Sequence, residues 1–298
     1  MYNLTLYLIT VLIWGLTWIA IKFQLGIVAP EVSIAYRFTL AAAILFLFSF
    51  IRRLPLKFGW RSHIFFALQG LFLFSLNYIL VYNAELYLTS GLVAIIFSTV
   101  IFFNVFFGSL FLRNPIRFQV VLGAIIGLIG LFLVFGTELL SFDMADQIML
   151  GLGMAVLAVI SASLGNIISA RNQRNDLPVV QTNAFGMTYG ALFMLLLALV
   201  RGAAFSFDPS PSYLIGLLYL SLFGSVIAFG SYLTLLGRIG PDRAAYVSVL
   251  FPIIALIVST MYEGLSWNLS QFAGVGLVLL GNVMVLSKKG SRGLAEIS

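Results

Sequence analysis

The sequence has no cysteine and a single histidine, His63. Without thiols there is no disulfide scaffold, no thiol nucleophile and no cysteine-held metal. Charge is scarce too: 9% of 298 residues, where a soluble domain carries about 25%. Hydrophobic residues make up 61%. Such a chain is not disordered, and as a soluble domain it could not hide that much apolar surface from water. No Gly-x-x-x-x-Gly-Lys-Ser/Thr string is present, which argues against ATP-driven chemistry within the chain. No Asp or Glu stands centrally in an apolar block. That argues against a buried carboxylate cycling protons and against an integral enzyme using paired acids. No cofactor and no metal are expected.

What is there is a series of apolar blocks. A spanning helix needs roughly 20 mostly apolar residues, and that ruler gives ten. They are Asn3–Ile21, Val32–Ile51, Ile64–Val81, Leu88–Leu112, Phe118–Phe135, Ile148–Ile168, Val180–Val200, Ser212–Leu236, Ala244–Tyr262 and Phe272–Ser287. Pro30, Pro178, Pro209 and Pro241 stand at block ends, where a helix stops or starts without losing an interior hydrogen bond. The first block reads as a retained span: it has no basic leader and no small-residue cleavage site. The expected fold is an all-α integral membrane protein of ten transmembrane helices.

The net charge of +6 would suggest nucleic acid in a soluble protein. Here the basic residues fall in small groups between apolar blocks, so no nucleic-acid partner is expected. A patch such as Arg52–Lys57 with Arg61 suits lipid headgroups. With the N-terminus in the cytoplasm, 13 Lys and Arg fall on the inner side and 2, Lys22 and Arg201, on the outer. This bias sets both termini inside. Glu85 and Glu263 stand near outer ends and could titrate, the simpler reading being solvated loop residues, and Lys22 reads as an interfacial anchor.

The halves echo each other at a spacing near 150 residues. Gly15 matches Gly165, Pro30 matches Pro178, Tyr82 matches Tyr232, and Gly123 and Gly130 match Gly274 and Gly281. Five spans per half is an odd number, so the second copy enters from the opposite side: two inverted five-helix repeats, over 1–137 and 147–289. A site between such halves lies near the midplane.

Arg37 is the sharpest candidate, since a charge inside a span faces a cavity or a partner, or else snorkels to the headgroups. Trp14 and Trp18 share a helix face. With Asn77, Tyr78 and Tyr82 they can line an amphipathic cavity, to which the second half adds Asn166, Tyr232 and Tyr246. Asn183, Tyr189 and Asn282 extend this polar set, because an amide at membrane depth needs a partner. Arg37 would orient an anionic group, the aromatics would exclude water, and the amides would hydrogen-bond. The pairs Gly123–Gly127 and Gly186–Gly190 read as close helix contacts, as do Gly151, Gly153, Gly274 and Gly276.

Leu12–Ile13–Trp14–Gly15–Leu16–Thr17–Trp18 with Ala20–Ile21–Lys22 resembles the opening of the EamA-type exporters of the drug/metabolite transporter superfamily. Ala35–Tyr36–Arg37–Phe38 resembles their second span, and Tyr82–Asn83–Ala84 through Thr89–Ser90–Gly91, with Leu122–Gly123–Ala124, Gly127 and Gly130, resembles the end of that domain. Phe251–Pro252 through Glu263, then Gly274 through Gly281, resembles the same domain again. The first half departs by placing Phe102 and Arg113 where the second has Pro252 and Glu263. The resemblance implies ten helices in two repeats and a secondary transporter that exports a small metabolite, such as an amino acid, by alternating access. It implies a multi-pass protein of the bacterial inner membrane. The expected partners are that metabolite and lipid, with monomer and homodimer both open. An enzyme acting on a lipid or isoprenoid, and a scaffold without a cavity, are the alternatives.

Overall fold

A computed structural model describes residues 2–113, 116, 118–140, 145–239, 244 and 247–286. Among these the ordered elements are all helical. They are α1 (Tyr2–Lys22), α2 (Pro30–Ile51), α3 (Trp60–Ala84), α4 (Ser90–Leu112), α5 (Phe118–Leu140), α6 (Ala145–Arg174), α7 (Val179–Arg201), α8 (Pro211–Leu236), α9 (Val247–Tyr262) and α10 (Leu269–Leu286). Seven helices are long and apolar enough to cross a membrane, and Phe118–Val134, Val247–Tyr262 and Leu269–Met284 are shorter apolar helices.

The helices start where their sequences allow it. Pro30 and Pro211 stand in the first turn of α2 and α8, where the missing N–H costs nothing. Gly202 ends α7 in a left-handed conformation. Along α1, Leu4, Leu8, Leu12 and Leu16 are exposed at a spacing of four, while Val11, Trp18 and Ile21 are buried. The first set is a stripe toward lipid and the second packs inward.

The packing follows an exchange rule. α1 lies against α9 and α8, and α6 lies against α4 and α3. α2 pairs with α7, α4 with α9, and α5 with α10. Exchanging the first five helices for the second five leaves these contacts in place. Small residues carry the α5–α10 contact: a Cβ on Gly130 would stand 2.6 Å from the Gly274 carbonyl, and one on Gly274 the same distance from the Gly130 carbonyl. A Cβ on Gly281 would meet the Gly123 carbonyl and the Gly127 backbone. The Gly186–Gly190 pair receives α3 at Gly70. Gly153 and Gly276 correct the expectation made for them, since both face open space.

Both α3 and α8 contain a π-helical stretch, over Phe72–Leu76 and Tyr219–Ile227. Such a stretch turns carbonyls out of the α-helical ladder, and other groups must take them up. The Phe72 carbonyl accepts from Ser161 Oγ at 2.8 Å, and the Leu220 carbonyl from Ser225 Oγ at 2.9 Å. α4 breaks at Ser98–Thr99, whose hydroxyls donate back to Ile95 and Ile96 at 2.7 and 2.6 Å. Pro252 stands inside α9, where it removes one hydrogen bond of the helical ladder. All four irregular points surround the same interior space.

Candidate functional site

That space is a cavity between α1, α3, α4, α6, α8 and α9, of about 630 Å³ outside protein atoms with part of it open. Its wall includes Trp14, Trp18, Asn77, Tyr78, Asn166 and Tyr232, six of the residues singled out from sequence. They come from both halves. Trp14 packs on Tyr232 and Phe229 at 4.9 and 5.1 Å between ring centroids. Trp18 stacks on Phe251 at 5.7 Å and meets the edge of Phe97 at 5.2 Å. Such an aromatic box holds an apolar body and excludes water. Polar atoms punctuate it: the buried Trp18 Nε1 donor and the Asn77 Oδ1 acceptor have no protein partner. Asn166 Nδ2 donates to Asn104 Oδ1 at 3.4 Å.

Arg37 does not stand on the wall itself. It lies one layer behind, with its guanidinium carbon 4.3 Å from the centroid of the Tyr78 ring. Its Nη2 donates to the Tyr78 hydroxyl at 3.3 Å, and its Nε to Ser225 Oγ at 3.0 Å. The residue is 1% exposed, so it does not snorkel to the headgroups. The Nη1 group has no protein acceptor. Among the described residues no carboxylate lies within ion-pair distance of Arg37. A buried cation served only by neutral partners is set to attract an anion. Gly224, beside Arg37 Nη2, also gives its carbonyl to Trp14 Nε1 at 3.4 Å, so wall and cation share one stretch of α8.

Tyr82 is fully buried one turn beyond Tyr78, with its hydroxyl near the Arg37 guanidinium. Glu85 follows on the same face, just past the end of α3. It corrects the expectation of a solvated loop: its side chain is fully buried and neither carboxylate oxygen has a hydrogen-bond partner. Burial pushes this carboxyl well above the usual carboxylate range, Lys22 opposes the rise, Glu263 adds to it, and Arg37 opposes it. Lys22 and Glu263 are corrected as well. Lys22 Nζ pairs with Glu263 at 3.6 Å and donates to the carbonyls of Glu85 and Leu88, the latter at 2.8 Å. Glu263 accepts from the Ser90 amide at 3.0 and 3.1 Å and from the Ser90 hydroxyl, capping the start of α4 from the end of α9. One cluster thus joins α1, α3, α4 and α9 at this end of the bundle.

The remaining candidates lie elsewhere. Asn183 accepts from Gln69 Nε2 at 3.1 Å, and Gln69 accepts from Asn172 Nδ2 at 3.1 Å, a buried amide chain near the start of α3 and the end of α6. Tyr189 shares a 3.0 Å hydrogen bond with His63. Asn282 Nδ2 donates to Ser98 Oγ at 3.0 Å, holding the break in α4. These bond to one another or to Ser98, the Asn282 Oδ1 is left without a partner, and none of them lines the cavity. Tyr246 lies outside the described residues. Sequence reasoning missed Phe97, Phe229, Ser248 and Phe251 on the wall. A Phe inside an apolar run carries no signal of its own, and only the α9 proline hinted at Ser248 and Phe251.

The model of the EamA-like transporter family matches residues 1–136 and 149–287. The chain is 27% identical over 278 residues to the uncharacterized transporter YoaV of Bacillus subtilis, covering 92% of each chain. It is likewise 27% identical to the uncharacterized inner membrane transporter YedA of Escherichia coli, covering 92% of this chain and 87% of that one. A solved crystal structure superposes with a TM-score of 0.70 over 95% of both chains at 18% identity, a likeness of fold alone.

Proposed function

The chain belongs to the EamA-like transporter family, and from that premise we propose that it is a secondary transporter exporting a small metabolite with an apolar body and an anionic group. A zwitterion such as an amino acid fits this description. The substrate's apolar part rests among Trp14, Trp18 and Phe251, and its anionic group faces Tyr78 with Arg37 behind. The observation that carries this reading is the cavity itself. It is walled by both halves and backed by a buried cation that has no carboxylate partner among the described residues.

The helices form two inverted five-helix repeats over 1–137 and 147–289, crossing the bacterial inner membrane ten times with both termini in the cytoplasm. The contacts that survive exchange of the halves support this, as do the paired π-helical stretches in α3 and α8. Alternating access is rocking of the halves around the cavity. The irregular backbone in α3, α4, α8 and α9 supplies points where helices bend. The inner-membrane placement is supported by the relative YedA, named as an inner membrane transporter. A closed scaffold would have no such cavity.

Purified protein in liposomes, loaded with a mixed pool of small metabolites, tests the proposal. Efflux of individual pool members, identified by mass spectrometry, is expected above the level of empty liposomes. Protein-dependent efflux of none of them overturns it.

A further inference from the structure

The charges near the cavity do not pair off evenly. Lys22 is matched by Glu263, with the Glu85 and Leu88 carbonyls completing its donors. That leaves Arg37 and Glu85, each buried, each without an ion-pair partner among the described residues. They are not strangers. Arg37 bonds Tyr78, and Tyr78, Tyr82 and Glu85 follow at spacings of four and three along one face of α3. The guanidinium acts electrostatically on both Tyr82 and Glu85. The groups facing the Glu85 carboxyl are therefore Lys22 from α1, Arg37 from α2, Glu263 from the end of α9, and Tyr82 from its own helix.

A buried region with a net charge is expensive, so protonation states adjust until the sum is near zero. In the empty cavity, Lys22, Arg37, Glu263 and Glu85 sum to zero when Glu85 is ionised, the form that Lys22 and Arg37 favour against its burial. An anion arriving at Arg37 cancels the guanidinium charge, and Glu85 then loses the field that favours its ionised form. We propose that Glu85 is a proton site linked through Arg37 to the cavity: docking of an anion is accompanied by uptake of one proton at Glu85, and release of the anion by release of that proton. The proton comes from water, rests on a Glu85 carboxylate oxygen, and returns to water; no other bond is made or broken. A monoanion and the proton travel together as a unit of no net charge, and a zwitterion with the proton carries one positive charge. This inference rests on the anionic substrate class proposed above. It answers how a cavity with a fixed cation releases an anion without stranding an uncompensated charge. The burial of Glu85 runs against the expectation from sequence that no buried carboxylate is available to carry a proton.

The test follows the proton directly and needs no identified substrate. The carboxylic-acid carbonyl stretch of the purified full chain is recorded by infrared difference spectroscopy against pH, and Glu85→Gln assigns the band. Replacing Arg37 by Gln removes its charge permanently, as a docked anion would. The Glu85 titration is then expected about one pH unit or more higher than in the wild type. Arg37→Lys keeps the charge and is expected near the wild type, which separates the linkage from a general loosening of the bundle. Equal midpoints in wild type and Arg37→Gln overturn the proposal, as does a band that Glu85→Gln leaves intact. Phenylacetate and its neutral analogue phenylacetamide are then titrated calorimetrically into wild type and Glu85→Gln. Phenylacetate is expected to bind the wild type with uptake of close to one proton and Glu85→Gln with none. Uptake equal in the two proteins overturns the linkage. A wild type that binds no phenylacetate speaks against the anion-binding reading of the cavity, and the Arg37 dependence of the titration still decides this proposal.

Discussion

Arg37 and Phe185 hold matching places in the two halves. Each lies seven residues after the proline, Pro30 or Pro178, that opens its stretch of chain, and their helices α2 and α7 pack on each other. Their surroundings differ completely. Arg37 reaches Tyr78 and Ser225 and stands behind the cavity. Phe185 stacks on Phe66 at 5.5 Å and meets Phe46, Phe58 and His63 edge-on. The helix contacts match between the two halves while the charged part of the site is built once. At the Arg37 end the bundle is closed by charges and a helix cap. At the Phe185 end it is closed by rings and by the Gln69–Asn183–Asn172 amides.

The comparison breaks most plainly at these two residues. Arg37→Ala is expected to lower flux by about tenfold or more, since it removes a buried hydrogen-bonded charge, while the protein still elutes as a folded species. Phe185→Ala is expected to do the reverse. It loses about 2 kcal/mol of stability, below the range for a fully buried Phe, and keeps flux per folded molecule within about twofold. Equal flux defects in the two variants would show that the halves share the site evenly.

Where the halves do match, matched effects follow. Gly130→Ala and Gly274→Ala each push a methyl group toward the facing carbonyl at 2.6 Å. Each is expected to cost about 2 kcal/mol, read as equal drops in the midpoint of thermal unfolding in detergent. A large difference between them would mean that α5 and α10 do not meet as equals. The smallest effect is expected at Tyr78→Phe. It keeps the ring under the guanidinium and deletes one 3.3 Å hydrogen bond, raising the half-saturating substrate concentration about threefold.

Much of the bundle was readable from hydropathy because a 20-residue apolar block has few other uses. Trp14, Trp18, Asn77, Tyr78, Asn166 and Tyr232 were readable because a polar or amphipathic side chain at membrane depth needs a reason. The π-helical stretches were not. Phe72–Leu76 reads Phe-Leu-Phe-Ser-Leu, a string equally at home in an α-helix, and only the fold shows it packed on α6 and α7. Glu85 was misread because a carboxylate at a block end is ordinarily solvated. Its burial depends on Lys22 and Glu263, which are 63 and 178 residues away in the chain and folded over it. Nor could the sequence show that Arg37 sits one layer behind Tyr78 instead of on the wall.

The central claim is that one cavity between the halves is opened to each side of the membrane in turn. Since the chain has no cysteine, a single Ser248→Cys on the cavity wall reports its access without background. In right-side-out and inside-out vesicles, a membrane-impermeant maleimide is expected to label this position from either face, more slowly when transported metabolite is present. Labelling confined to one face under all conditions would contradict alternating access.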